Sequence, residues 1–294
     1  MLLRYGKAKY SDAIETALYN SVLSGVSLDG QGYFYMNPLA SHGGYARDTW
    51  FECSCCPPNV ARLIMSLPGY AYSTSKDGLW VHMYVKSSVN ADIPESSTFS
   101  LDIDTDYPWD GSVVARVQEA PKKETTLALR IPSWAHGASL KINGVESEKL
   151  TKPGSYIKTK RTWQAGDEIH LELPMQVRRL RSNQNVLDNR GHVALARGPI
   201  VYCLEQADHP KVPVYDIGLA QDSAFETHHD ADLLGGVTVL ETDGMMLDRS
   251  NDSLYQEDPF TLVTPLGKTT LKAIPYHVWA NRDAGAMRVW IPEV

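Results

Sequence analysis

Thr98-Phe99-Ser100-Leu101-Asp102-Ile103-Asp104 changes from polar to apolar and back at every step. A period of two puts Phe99, Leu101 and Ile103 on one face and Ser100, Asp102 and Asp104 on the other, which describes a strand with one dry and one wet side. The same alternation recurs in Leu127, Leu129 and Ile131 around Ala128 and Arg130, and in Ile169, Leu171 and Leu173 around His170 and Glu172. Turn signals separate these runs at short intervals: Lys76-Asp77-Gly78, Asp110-Gly111, Asn143-Gly144 and Ala165-Gly166-Asp167. No long helical pattern intervenes, so residues 71–175 are expected to form an antiparallel β-sandwich.

A second β-rich block follows Pro174, with 192–205, 236–241, 259–265, 269–280 and 287–291 as candidate strands and a polar, irregular stretch over 208–234. One strand pattern ends at a proline near 173–177 and another begins, which places a second β-sandwich at 176–294. The first 70 residues read differently. Tyr10, Ala13, Ile14, Ala17, Leu18 and Val22 fall at helical spacing, with Ser11 or Asp12 available as a cap. A second helix is expected from about Pro58 to Leu67, ending before Pro68-Gly69. Between them the aromatic run Tyr33-Phe34-Tyr35-Met36 suggests a short strand. Two helices and a ribbon bury too little to make a domain by themselves.

Cys53-Ser54-Cys55-Cys56-Pro57-Pro58-Asn59 holds three of the four cysteines, just before the second helix. Prolines suit a first helical turn, and the free N–H groups and positive dipole end there favour a thiolate. A disulfide within the cluster would be strained. Zinc is attractive because thiolates are its preferred ligands, but structural sites use C-x2-C and a second pair, which is absent here. Cys203 lies in an apolar run and reads as a buried, inert thiol. Metal binding, nucleophilic chemistry and three structural thiols all remain open from spacing alone. His42, in Ser41-His42-Gly43-Gly44, is a candidate ligand-binding residue, whereas His228-His229-Asp230 matches no metal spacing. Asp29, Asp48 and Glu52 lie near the cluster in sequence without forming a recognisable carboxylate pair.

At 294 residues the chain can bury a substantial core and form two or three domains. Lys and Arg number 28 against 35 Asp and Glu, a net charge of −7 with no basic block, which argues against nucleic acid as a partner. No run of about 18 apolar residues is present to cross a membrane, and Met1–Lys7 lacks the apolar core of a secretory signal. Clustered thiols fit a reducing, cytoplasmic compartment. Oligomeric state is left open, a homodimer included. Seven Trp and fifteen Tyr suit sugar-stacking surfaces and β-sheet packing alike.

Several motifs occur in the order seen in glycoside hydrolase family 127, the β-L-arabinofuranosidases. They are Tyr19-Asn20, Leu28-Asp29-Gly30, Tyr33-Phe34-Tyr35-Met36-Asn37-Pro38-Leu39, Trp50-Phe51 and Cys55-Cys56-Pro57-Pro58-Asn59-Val60-Ala61-Arg62. Downstream, Tyr107-Pro108-Trp109-Asp110-Gly111, Arg130-Ile131-Pro132-Ser133-Trp134, Arg197-Gly198-Pro199-Ile200-Val201-Tyr202 and Ile274-Pro275-Tyr276-His277-Val278-Trp279-Ala280-Asn281-Arg282 are similar to that family too.

The resemblance implies a mixed, mainly β chain: the C-terminal remnant of an (α/α)6 catalytic barrel over 1–70, followed by two antiparallel β-sandwich domains. It implies zinc held by adjacent cysteines, here Cys55 and Cys56, together with a glutamate and a cysteine from an earlier Glu-x-Cys motif. Cys55 maps to the nucleophile of a retaining double displacement and Tyr35 to a substrate contact. The substrate implied is an arabinose-containing oligosaccharide or glycoconjugate. The sequence departs from the family in lacking an upstream Glu-x-Cys and an acid/base glutamate, because Glu52-Cys53 is too close to the pair. The chain is therefore expected to be an incomplete fragment, inactive in isolation. The alternative is a sugar-binding or assembly module without chemistry, which gives no reason for a cysteine cluster at a helix start.

Overall fold

The computed structural model describes residues 1–147, 152–248 and 265–294. It is mainly β, with few helices and three sheets in which antiparallel pairing predominates. By internal contacts the chain divides into two compact units, each drawn from two segments: Met1–Leu18 with Pro58–Gln176, and Tyr19–Pro57 with Val177–Val294. Among the described residues, no helix is long and apolar enough to cross a membrane.

The first unit contains a six-stranded sheet in the order Ser87–Asp92, Thr98–Thr105, Ser112–Glu119, Glu168–Glu172, Ser139–Ile142, Val145–Glu146. Its alternation is the one read from the sequence, since Phe99, Leu101, Ile103, Ile169 and Leu171 are all buried. A four-stranded sheet runs Ser155–Arg161, Thr125–Ile131, Gly78–Val81, Tyr72–Ser75. Within it Gly78–Val81 pairs parallel to Thr125–Ile131, a departure from the antiparallel expectation. Three strands of the other sheet form between these two in sequence, and only such a long crossover allows parallel neighbours.

Helices α1 (Leu2–Tyr5) and α2 (Ala8–Ala17) open this unit. Neither Ser11 nor Asp12 caps α2; the N-cap is Lys7, and both candidates lie inside the helix. Its buried side carries Ala8, Ser11 and Glu15, while Ala13 and Ala17 are exposed. A polar stripe is buried because partners are waiting for it. Arg130, fully buried in Thr125–Ile131, donates to Asp12 at 2.6 Å and to Glu15 at 2.5 Å, and its Nε donates to the His82 carbonyl at 2.6 Å. The Tyr107 hydroxyl donates to Glu15 at 2.6 Å. Burial lowers the Arg130 guanidinium, but the Glu15 carboxylate, with Tyr107 and Tyr84, outweighs it and holds the group above its ordinary value.

His82 extends this polar core. Its Nδ1 lies 2.6 Å from the Tyr156 hydroxyl and its Nε2 2.7 Å from Ser73 Oγ; the Tyr156 hydroxyl is in turn 2.9 Å from Ser11 Oγ. Burial first, and the Arg130 charge second, push the imidazole down from 6.5 to about 4. The unfolded chain therefore takes up this proton near pH 6.5 and the folded chain only near pH 4. Stability contributed by neutral His82 is complete above about pH 6.5 and is lost progressively toward about pH 4. Urea midpoints measured between pH 7 and 4.5 are expected to fall with acid, and His82→Gln to flatten that slope. His277, in the second unit, is also depressed to about 4 by burial and leaves a residual slope of the same sign.

The second unit holds a ten-stranded sheet whose main path runs Ala40–His42, Ala286–Arg288, Ile200–Glu205, Pro265–Pro275, Val237–Leu247, Ile217–Gly218. The single run expected over 192–205 is two strands, His192–Arg197 and Ile200–Glu205, turned at Gly198, whose φ of 53° suits a residue without Cβ. The stretch expected to be irregular contains the strand Glu226–Asp230, paired with Val237–Leu247. Successive strand residues point to opposite faces, so His228 and His229 do not converge on one ion. Of the expected strand 259–265, residues 259–264 lie outside the described residues. The run 269–280 is strand only to Pro275, followed by a 3-10 turn Tyr276–Val278. The aromatic segment near Tyr33 makes isolated bridges, Tyr33 to Val26 and to Asp48, rather than a strand.

Candidate functional site

The helix after the cysteines, α3, spans Cys56–Ser66, two residues longer at its start than the sequence suggests; α4, Pro68–Ala71, begins directly beyond it. Cys56 is thus the first helical residue, and Pro57 and Pro58 complete the first turn, where proline's fixed φ is favourable. These prolines also remove two of the four N–H groups that a helix start leaves unbonded, so the terminus offers fewer donors to a thiolate than a usual one. Cys56 is pushed up from the ordinary thiol value, first by the hydrogen bond with Cys55, then by desolvation, then by the charges of Cys55 and Cys53. This is opposite in sign to the expectation drawn from the helix dipole.

Cys53, Cys55, Cys56 and Cys203 are all thiols rather than disulfides. Cys55 and Cys56 place their sulfurs 3.6 Å apart. Two sulfurs bound at ~2.3 Å to a tetrahedral zinc lie about 3.8 Å apart, so the pair fits two corners of such a site as it stands. Among the described residues, no group of three or more His, Cys, Asp or Glu converges to complete one. Cys203 is buried within Ile200–Glu205, and burial pushes its thiol well up.

Tyr35 joins the cysteines directly. Its hydroxyl donates to the Cys53 carbonyl and accepts from the Cys55 N–H at 3.1 Å, and its ring stacks on Phe51 at 3.8 Å between centroids and 24° between planes. Phe51 has no assigned role in the sequence reading; the only signal is its place in Trp50-Phe51, two residues before Cys53. Trp50 sits edge-on to Tyr33 at 5.8 Å.

The loop carrying these groups is tied to its own unit. Arg47 donates to the carbonyls of Trp279 at 2.9 Å, Ala280 at 2.8 Å and Ser24 at 2.9 Å, and lies 4.3 Å over the Phe34 ring. Burial lowers this guanidinium to about 10. Phe34 stacks on buried Trp279 at 5.3 Å. The backbone of Asp48 exchanges hydrogen bonds with Tyr33 at 2.8 and 3.1 Å.

His42 is placed elsewhere: it is exposed on the edge strand Ala40–His42 and stacks on Tyr215 at 4.3 Å, and no hydrogen bond among the described residues links it to the cysteines. Asp29 is committed to its own turn, accepting from Ser27 Oγ at 2.5 Å and from the Gln31 N–H at 3.0 Å. Those bonds, the hydroxyl's foremost, hold its carboxyl below the usual range. The arrangement supplies two adjoining thiols whose backbone is held by the Tyr35 hydroxyl.

Residues 1–69 match the beta-L-arabinofuranosidase, GH127 catalytic domain; residues 78–175 match the GH127 middle domain; and residues 177–292 match the glycoside hydrolase family 127 C-terminal domain. A non-reducing end beta-L-arabinofuranosidase from Bifidobacterium longum subsp. longum is 34% identical over 312 aligned positions, covering 97% of this chain and 45% of the relative. The crystal structure of a GH127 beta-L-arabinofuranosidase from Geobacillus stearothermophilus T6 is 40% identical with a TM-score of 0.91, over 100% of this chain and 48% of its own. A GH127 beta-arabinofuranosidase structure is 34% identical with a TM-score of 0.89, over 100% of this chain and 47% of its own. The chain spans about half the length of the relatives it matches. Three consecutive domains of one family account for nearly all of its residues, and the chain belongs to glycoside hydrolase family 127.

Proposed function

We propose that this chain carries the nucleophile of a retaining glycosidase that cleaves terminal β-L-arabinofuranosides from oligosaccharides or glycoconjugates. The observation that carries this reading is the pair of sulfurs 3.6 Å apart at the start of α3. The Cys55 sulfur attacks the anomeric carbon, forming a C–S bond as the bond to the leaving oxygen breaks, and that oxygen takes a proton from a general acid. Water then attacks the same carbon, giving its proton to the conjugate base that the acid became in the first step, as the C–S bond breaks and its electron pair returns to Cys55. Two inversions give net retention. Tyr35 and His42, both exposed, are proposed substrate contacts.

Cys55 and Cys56 would hold zinc, which when bound keeps a thiolate ionised near neutral pH. The high Cys56 thiol and the two missing first-turn N–H groups are what give a cation work to do here. The proposal includes the division into a catalytic-barrel end over 1–70 and β-sandwiches over 71–175 and 176–294, and a reducing, cytoplasmic setting.

The test is a zinc titration with an aryl β-L-arabinofuranoside assay, run on the chain and on a form extended at its N-terminus to the length of its relatives. Turnover is expected in the extended form only. Chelation is expected to abolish it and added zinc to restore it. Cys56→Ser should lower zinc affinity by more than the roughly 10–100-fold that loss of an outer-shell partner costs. Full activity of metal-free protein would remove zinc from the account. Sugar binding without turnover in either form would leave a carbohydrate-binding module in its place.

A further inference from the structure

We propose that Phe51 and the Tyr35 hydroxyl act as a clamp that aims the Cys55 thiol at the Cys56 thiol, making Phe51 a positioning residue of the site. Successive side chains of an α-helix diverge by about 100°, so neighbouring cysteines do not share a direction by default. The sulfurs nevertheless converge to 3.6 Å, and Cys55 lies off the helical path, since α3 begins one residue later, at Cys56. What holds Cys55 off that path is local. Its N–H donates to the Tyr35 hydroxyl, and the same hydroxyl donates to the Cys53 carbonyl, so a single oxygen closes the loop across residues 53–55.

Tyr35 is 39% exposed, and burial alone does not fix its ring. The Phe51 stack, four positions before Cys55 in the chain, supplies the fixed wall. Both backbone groups held by Tyr35 are near solvent, so water can replace the hydroxyl at little cost to folding. The clamp therefore governs geometry rather than stability. Its relevance to zinc and to attack on sugar rests on the reading above; the geometry does not.

A probe that needs both sulfurs at once separates the two. Phenylarsine oxide condenses with two thiols: two S–H bonds and the arsenic–oxygen bond break, two As–S bonds form, and water leaves. Wild-type chain is expected to bind it through Cys55 and Cys56, with Cys55→Ser abolishing bidentate capture once exposed Cys53 is also changed to Ser. Tyr35→Phe and Phe51→Leu should each weaken capture roughly tenfold, the scale of one well-placed hydrogen bond. Phe51→Tyr, which keeps the stack, should stay within about twofold of wild type. Alkylation of exposed Cys53 by iodoacetamide and the urea midpoint should not change. Capture at wild-type strength in both Tyr35→Phe and Phe51→Leu overturns the clamp, as does a loss of capture matched by a loss of urea stability, or a wild-type chain that fails to capture the arsenical. A Cys55→Ser enzyme that retained hydrolysis would overturn the nucleophile reading and leave the arsenical result standing.

Discussion

Replacing Arg130 by Met is expected to lower the unfolding free energy of its unit by about 3–5 kcal/mol, the usual cost of removing one partner from a buried ion pair. The substitution keeps much of the apolar stem and removes the guanidinium. Glu15, only 2% exposed, would then face a cavity with the Tyr107 hydroxyl as its one remaining donor among the contacts described, and the His82 carbonyl would lose its Arg130 Nε donor. The cost arises from stranding those groups rather than from the worth of the pair. The double substitution Arg130→Met with Glu15→Leu is therefore expected to recover most of the loss, since an apolar pair of similar volume often replaces a buried ion pair without penalty. Urea denaturation at pH 7 of the two singles and the double reads both outcomes. A loss below about 1 kcal/mol in Arg130→Met would mean that water reaches Glu15 and that the network is not part of the core.

The same network marks the limit of what the sequence discloses. Strands such as Thr98–Thr105 are legible because half-burial forces a period of two onto Phe99, Leu101 and Ile103, whatever lies around them. Helix α2 is legible as a helix but not by its buried side. Hydrophobic spacing points to Tyr10, Ala13, Ile14, Ala17, Leu18 and Val22, of which Leu18, just past the helix end, is buried, whereas the helix itself buries Ala8, Ser11 and Glu15. Ser11 and Glu15 are satisfied by Tyr156 and Arg130, more than a hundred residues away, and no local pattern encodes a partner at that distance. Strand ends are not legible where one glycine or proline acts, as at Gly198 and Pro275. The cysteine cluster is plain in the sequence. Phe51 and the Tyr35 hydroxyl are not, because an aromatic before a cysteine carries no message until its ring is seen stacked and the hydroxyl is seen against Cys53 and Cys55.

Cys55→Ser is expected to produce the largest effect of any single substitution at the site. In the N-terminally extended form it should lower kcat on an aryl β-L-arabinofuranoside by at least roughly 10³-fold, as removal of a nucleophile commonly does, with folding intact because the side chain is exposed. A serine hydroxyl at that position is not ionised near neutral pH, so the strong nucleophile is lost. Cys53→Ser serves as the control and should leave kcat within about twofold of wild type, since Cys53 meets Tyr35 through its backbone carbonyl, which the substitution keeps, and its thiol is the last-ranked influence on Cys56. Equal losses in both variants would point to thiol-dependent folding rather than to chemistry at one sulfur.

The most direct measurement looks at the sulfur itself. Extended protein is mixed with a fast-leaving aryl β-L-arabinofuranoside, quenched in acid within one turnover, digested and examined by mass spectrometry. One arabinosyl group is expected on the peptide containing Cys55, absent in Cys55→Ser. Turnover with the sugar attached instead to an aspartate or glutamate, or with every cysteine unmodified and the product inverted, would contradict it.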